Sequence, residues 1–283
     1  MRIKDPRYFQ IGALGLLFSY GLFSFSFGMP SLMAFISLTS CLLTQIIFTH
    51  LMKRPKLDLR SPLISGLSLC LLLRTNDWWI AALAGMIAIG SKFLIRRDDA
   101  HVFNPTNVGI VALLLCTDRA WISPGQWGSG VLIAMLFACA GILVITRASR
   151  SDVTIAFIGF FVALIFARAW YLGDPWAIPQ RQLQSGALLL FAFFMISDPK
   201  TTPRSRAGRI VFAGLVATVG VTLQFNWIHP INYGVFYALA ICSLAVPLIN
   251  RWLPGPIYEW HKPNPKPRNP DETLPPDSLP ASA

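Results

Sequence analysis

The chain has 283 residues, of which 54% are hydrophobic and 13% charged, and its formal net charge is +11. Soluble domains carry roughly 25% charged residues, whereas here runs of about 20 apolar residues, the length that crosses a bilayer core of roughly 30 Å, recur along the sequence. That excludes a soluble globular protein; the basic residues fall in short clusters between apolar runs, so the lipid bilayer is the expected partner and nucleic acid is not.

In chain order, the apolar runs predict ten membrane segments, at roughly 8–27, 30–50, 62–74, 78–95, 105–117, 128–146, 153–171, 183–197, 209–225 and 231–250. The first follows a basic N-terminus with no small-residue cleavage site after it, so it reads as a retained helix rather than a signal peptide. The third, fifth and eighth are short, and Pro62 and Pro105 sit where a helix accepts proline, in its first turn. Cys41, Cys70, Cys116, Cys139 and Cys242 all lie inside apolar runs without C-x-x-C spacing, so neither a metal site nor a disulfide framework is expected. After residue 253 nine prolines alternate with polar residues, which predicts a disordered, Pro-rich tail over 254–283.

Charge supports the count. If the segments alternate sides, 20 of the 24 Lys and Arg fall on the side of the N-terminus, and only Arg74, Arg119, Arg168 and Arg181 fall opposite. Positive charge marks the cytoplasmic face, so both termini are expected in the cytoplasm of a bacterial inner membrane. Trp78, Trp79, Trp121, Trp127, Trp170, Trp176 and Trp227 map near the opposite face, as an interfacial belt would.

Two short patterns each occur twice. Asn104-Pro105-Thr106-Asn107-Val108-Gly109-Ile110 has a counterpart in His229-Pro230-Ile231-Asn232-Tyr233-Gly234-Val235, and Leu63-Ile64-Ser65-Gly66 has one in Leu183-Gln184-Ser185-Gly186. Each pattern stands at the opening of an apolar segment, on the third, fifth, eighth and tenth. Ten segments then divide into five plus five, and because five is odd the second half must run inverted. The expected fold is an all-α polytopic membrane protein with two inverted five-helix repeats, 1–125 and 126–253, containing short broken helices. Short or Gly/Pro-interrupted segments at matching places in two halves point to a binding site within the membrane. Helix starts there leave unpaired N–H groups and the positive end of the dipole facing inward.

Polar residues near these starts are few. Asn104, Thr106 and Asn107 open the fifth segment, with His101 three residues before Asn104; His229 and Asn232 hold the mirror positions. Amides both donate and accept, which suits a heteroaromatic ligand with N–H and C=O edges. The plainer alternative is that Asn104 and Asn232 cap or cross-link helices. For His101 taken alone, the plainer reading of an interfacial, solvated histidine is preferred. Asp77, Asp118, Asp174 and Asp198 sit at segment ends and read as caps or loop carboxylates. No acidic pair lies mid-membrane, which argues against a carboxylate-driven ion pump acting alone. No G-x-S-x-G, phosphate loop, H-E-x-x-H or G-x-G-x-x-G is present, so nothing reads as a hydrolase, kinase or dinucleotide enzyme.

At these residues the chain resembles a known family. Phe103-Asn104-Pro105, Ala192-Phe193-Phe194-Met195-Ile196-Ser197-Asp198-Pro199, Gly208-Arg209 and Pro247-Leu248-Ile249-Asn250 are similar to blocks of the NqrB/RnfD family. Those are membrane subunits of the sodium-pumping NADH:quinone reductase and of the Rnf ferredoxin:NAD complex. A nearer resemblance, almost full-length, is to the UnbU proteins of enediyne biosynthesis clusters. It rests on Gly66-Leu67-Ser68-Leu69-Cys70-Leu71, Phe103-Asn104-Pro105-Thr106-Asn107, Ser123-Pro124-Gly125-Gln126-Trp127-Gly128 and Ser197-Asp198-Pro199-Lys200-Thr201-Thr202-Pro203.

The resemblance implies flavin-dependent electron transfer at the membrane, with redox partner proteins or subunits. It implies a flavin, riboflavin or FMN, held without a covalent bond beside the Asn-Pro helix start. The motif's Asn corresponds to Asn104, and a further Asn three residues earlier corresponds to His101. The family's second flavin, an FMN attached to Thr of an S-G-A-T motif after the fifth segment, is not expected, because the loop at about 118–127 lacks that motif. Ser185-Gly186-Ala187-Leu188 opens the eighth segment instead, and Leu cannot form the phosphoester. Expected cofactor contacts are therefore Ser65, Gly66, His101, Phe103, Asn104 and Asn107 in the first half, and Ser185, Gly186, His229 and Asn232 in the second. Two other readings stand beside this one: a small-solute or ion transporter or channel on the same inverted-repeat fold, and a structural membrane anchor.

Overall fold

The computed structural model describes residues 5–24, 31–97, 100–122, 151–225 and 233–256. Helices account for most of them: α1 (Pro6–Ser24), α2 (Ser31–Leu51), α3 (Arg60–Leu72), α4 (Trp78–Leu94), α5 (Pro105–Cys116), α6 (Ser151–Leu172), α7 (Ala177–Leu183), α8 (Gly186–Leu190), α9 (Arg206–Gln224), α10 (Gly234–Ser243) and α11 (Val246–Trp252). These ranges follow the predicted segments closely; the predicted segment at 128–146 and almost all of the tail lie outside the described residues. Among the described residues, α2, α6 and α9 are long and apolar enough to cross a membrane, and α10 with α11 forms a fourth, bent candidate. Outward-facing Phe35, Leu43, Ile155 and Ile241 are more than half exposed, as lipid contact requires.

Packing runs in two similar sets. In the first half α2 lies along α4 and α4 along α5; in the second α6 lies along α9 and α9 along α10. Small residues set the distances. A Cβ on Gly109 would come within 2.8 Å of the Ala84 carbonyl oxygen of α4. One on Gly234 would strike the Gly220 carbonyl of α9, at the corresponding helix pair. Backbones approach this closely in membranes because packing, not hydrophobic exclusion, holds helices together there. Where α5 meets α10 the halves join. The rings of Phe157 on α6 and Phe236 on α10 stand 5.1 and 5.2 Å from that of Phe191, which is fully buried between them.

Four short strands were not expected from the sequence. β1 (Leu73–Thr75) pairs antiparallel with β4 (Ala120–Ile122) at one end of the bundle, and β2 (Arg96–Arg97) with β3 (Ala100–His101) at the other. The β1–β4 end also carries the exposed Trp78, Trp79, Trp121 and Trp176. Arg74, counted among the charges of that face, is buried at 1% exposure. Its guanidinium donates to the carbonyls of Cys70 (2.7 Å), Leu73 (2.9 Å) and Leu71 (3.4 Å), the last orphan acceptors of α3.

Three expectations need correction. Ser65 and Gly66 do not open a helix: α3 starts at Arg60 and the pair lies in its second turn. The apolar run simply begins later than the helix, because Asp58 accepts from the Arg60 N–H (3.1 Å) and anchors the chain earlier. The eighth segment is not one helix. α7 ends before Ser185, which caps α8, and α8 runs on as a π-helical turn over Phe191–Met195. The tenth segment breaks into α10 and α11 with a bend of 55°, because Pro247 cannot donate to the preceding turn and its ring clashes there.

Candidate functional site

A cavity of about 360 Å³ opens at the β2–β3 end, between the start of α1, the end of α2, α3, the end of α4, the start of α5 and the end of the π turn. Its inner wall is neutral. Ser65 and Ser68 from α3 and Asn104 and Thr106 from the start of α5 line it, each less than 8% exposed. Phe93, Phe194 and Met195 give it an apolar side.

Asn104 is fixed by two bonds. Its Oδ1 accepts from the Asn107 N–H (3.2 Å), capping α5, and its Nδ2 donates to the Met195 carbonyl (3.3 Å). Met195 ends the π turn, whose carbonyls are drawn out of helical register by other donors. Thr154 Oγ1 donates to the Ala192 carbonyl (2.9 Å) and Ser197 Oγ to that of Phe193 (2.6 Å). Such turns occur frequently at functional sites. Asn107 lies deeper, outside the cavity wall; its Nδ2 donates to the Phe236 carbonyl of α10 (2.9 Å). Its Oδ1 is buried without a hydrogen-bond partner among the described residues.

His101 is held by β2–β3, opposite Arg96. Its Nε2 stands 3.6 Å from Asp198 Oδ2, an ionic contact rather than a hydrogen bond. Burial raises the Asp198 carboxyl, but His101 and the Lys200 N–H (3.1 Å) outweigh it and hold the group below the ordinary carboxylate value. Lys92, at the end of α4, reaches in and donates to Gln45 Oε1 (3.0 Å) and Ser61 Oγ (3.1 Å). At the rim, Asp58 bonds Arg7 (2.5 Å) and Arg60 (2.9 Å), and Asp5 bonds both arginines as well. Desolvation works against both carboxylates, yet the arginines hold Asp5 and Asp58 below their ordinary range.

The structure thus brings Ser65, His101 and Asn104 to one cavity. Gly66 faces away, against Leu38 and Cys41 of α2, and Phe103 and Asn107 do not line the wall. Ser185 and Gly186 stand at the other end of α8, roughly 14 Å from Met195 at 1.5 Å per residue. His229 and Asn232 lie outside the described residues. In the second half α10 starts only at Gly234, after Tyr233 in the left-handed conformation (φ 63°), whereas the matching Val108 is helical. Sequence reasoning missed Ser68, Lys92 and the pairing of Asp198 with His101. The signal for Lys92 was a cation inside the last turn of an apolar helix; that for Asp198 was its place directly after the aromatic run.

A model of the NQR2, RnfD, RnfE family matches residues 117–258. The chain belongs to that family. Among curated proteins, the D-type subunit of the ion-translocating oxidoreductase complex of Tolumonas auensis is 33% identical over 139 residues, 49% of this chain and 36% of that protein. The protein of the same name from Citrobacter koseri is 28% identical over 140 residues, 49% of this chain and 35% of it. The chain therefore spans little more than a third of the length of the curated relatives it matches. The family match begins after α5 and covers the π turn and Asp198 but not α3 or Asn104.

Proposed function

We propose that this chain is a flavin-binding integral membrane subunit of an electron-transfer system of the Rnf/Nqr kind, working with partner subunits in the bacterial inner membrane. The observation that carries the reading is the cavity that joins Ser65, His101 and Asn104 beside the π turn. Its volume falls in the range of small-molecule sites, which pair apolar walls with a few placed polar groups. Ser65, Ser68 and Thr106 hydroxyls can meet the carbonyl and ring-nitrogen edge of an isoalloxazine, and Phe93 and Met195 its flat body. Asn104 contributes by fixing the wall, since its amide donor is already spent on Met195. When bound, the flavin supplies reversible one- and two-electron chemistry; the chain orients it and excludes water. The loop after α5 has no S-G-A-T motif, so the flavin is held without a covalent bond. The family membership, the matching α2–α4–α5 and α6–α9–α10 packing and the charge pattern support ten segments in two inverted repeats, with both termini on the cytoplasmic, basic side.

The test is the full chain purified in mild detergent and examined by absorbance and by mass analysis of whatever it releases. Flavin should co-purify with the wild type and leave with Ser65→Leu, which fills the inner wall, while the lipid-facing Ile155→Leu retains it. A colourless wild type that refuses added flavin and conducts a solute in liposomes would sink this reading in favour of a transporter.

A further inference from the structure

We infer that the cavity selects a phosphate-bearing flavin over the neutral one, with the ring on the inner wall and the phosphate at the cationic mouth. This rests on the flavin reading above. Charge in the cavity is graded with depth. The inner residues Ser65, Ser68, Asn104 and Thr106 are uncharged and 4–7% exposed. Outward of them comes Lys92, and at the mouth the exposed Arg54, Lys56 and Lys200. In all, six cationic side chains line the cavity against two carboxylates.

Those carboxylates are committed elsewhere. Asp58 is shared between Arg7 and Arg60, and Asp198 faces His101. Lys92 is held by two neutral oxygens, and among the described residues it has no carboxylate within ion-pair distance. A neutral ligand would leave these like charges around one small space uncompensated. A phosphate, with about −1.5 to −2 charges at neutral pH, offers oxygens for several charge-assisted bonds at once. The ring cannot take the mouth, because it needs the neutral donors and the apolar side that only the inner end provides. The order ring inward, phosphate outward follows.

The experiment is equilibrium binding of FMN and of riboflavin to the full chain in phosphatidylcholine nanodiscs, where no anionic headgroup competes. Wild type should bind FMN about tenfold or more tightly than riboflavin, the yield of one charged hydrogen bond. Lys92→Gln, and separately the exposed pair Arg54→Gln/Lys56→Gln, should bring FMN to within about twofold of riboflavin without weakening riboflavin itself. Pyrophosphate should compete with FMN and leave riboflavin in place. Equal affinities in the wild type would overturn the inference while leaving the flavin reading standing; absence of binding by either flavin would remove both. If added phosphatidylglycerol alone abolishes the preference, the mouth is a lipid-headgroup site and the inference also fails.

Discussion

Asn104 does two jobs that can be separated. Its Oδ1 caps α5 through the Asn107 N–H at 3.2 Å, and its Nδ2 ties α5 to the π turn through the Met195 carbonyl at 3.3 Å. Asn104→Ala removes both. Losing a cap costs about 1 kcal/mol, and an interhelical hydrogen bond in a membrane protein is worth about 0.6 and at most about 1.7 kcal/mol. The sum is about 2 kcal/mol, or roughly 4–8 °C in melting temperature for a chain of this size class. Asn104→Ser keeps the cap, since serine is as good an N-cap as asparagine, and loses only the reach to Met195. It should therefore recover roughly half of that shift. The assay is thermal unfolding of flavin-free protein in detergent, followed by size-exclusion fluorescence. If serine is as damaging as alanine, the cap contributes nothing; if alanine melts with the wild type, neither bond matters and the geometry assigned to Asn104 is wrong.

Gly234→Ala should destabilise by about 1–3 kcal/mol through overpacking against the Gly220 carbonyl, whereas Gly12→Ala, with nothing within 4 Å of the new Cβ, should be neutral; equal melting temperatures would contradict the close α9–α10 approach. Asp5 and Asp58 are held below their ordinary value of 3.8, so their contribution is complete above that value and is lost as pH falls through the lower folded values. Stability measured from pH 7 downward should hold to about pH 5 and fall below about pH 4, and Asp58→Asn should flatten that fall; an unchanged slope would remove the arginine network from the account. Reporter fusions after residues 75, 121 and 176, in the described chain near Trp78, Trp121 and Trp176, should report the external face, and a cytoplasmic signal at two of them would refute the ten-segment topology.

What was legible in the sequence was whatever a local rule dictates. Pro105 at the first turn of α5 and Asn104 as its cap were readable because capping involves neighbours three residues apart. The apolar runs fixed most helix ends to within a few residues. Ser65 misled because hydrophobicity marks where a helix enters lipid, while α3 is started by Asp58 bonding back to Arg60 outside it. The bend before Pro247 was announced by the proline itself, but the run of apolar residues around it concealed the break. The π turn could not be read locally, since the donors that shape it, Thr154 and Asn104, come from α6 and α5. The same holds for the cavity: Lys92, His101 and Asp198 meet only because β2–β3 and the end of the π turn converge on α3.

The short helices explain why the cavity lies at one end and not the other. α3 has 13 residues and α5 has 12, about 18–20 Å at 1.5 Å per residue, against a hydrocarbon core of roughly 30 Å. Their ends must therefore lie within the membrane's depth, where irregular backbone is tolerated only if buried in protein or facing a polar cavity. At the β1–β4 end the chain solves this internally. Arg74 donates to three terminal carbonyls of α3, and the strand pair occupies the backbone groups that follow. Adding a ligand there would require breaking those bonds. At the β2–β3 end the orphan groups are N–H donors at the start of α5, and only one of them is met by the Asn104 side chain. Asn104 and Pro105 leave the remainder of that helix start against open space lined by hydroxyls and cations. A ligand rich in acceptors completes what the fold leaves incomplete at that end, and it enters from the basic face.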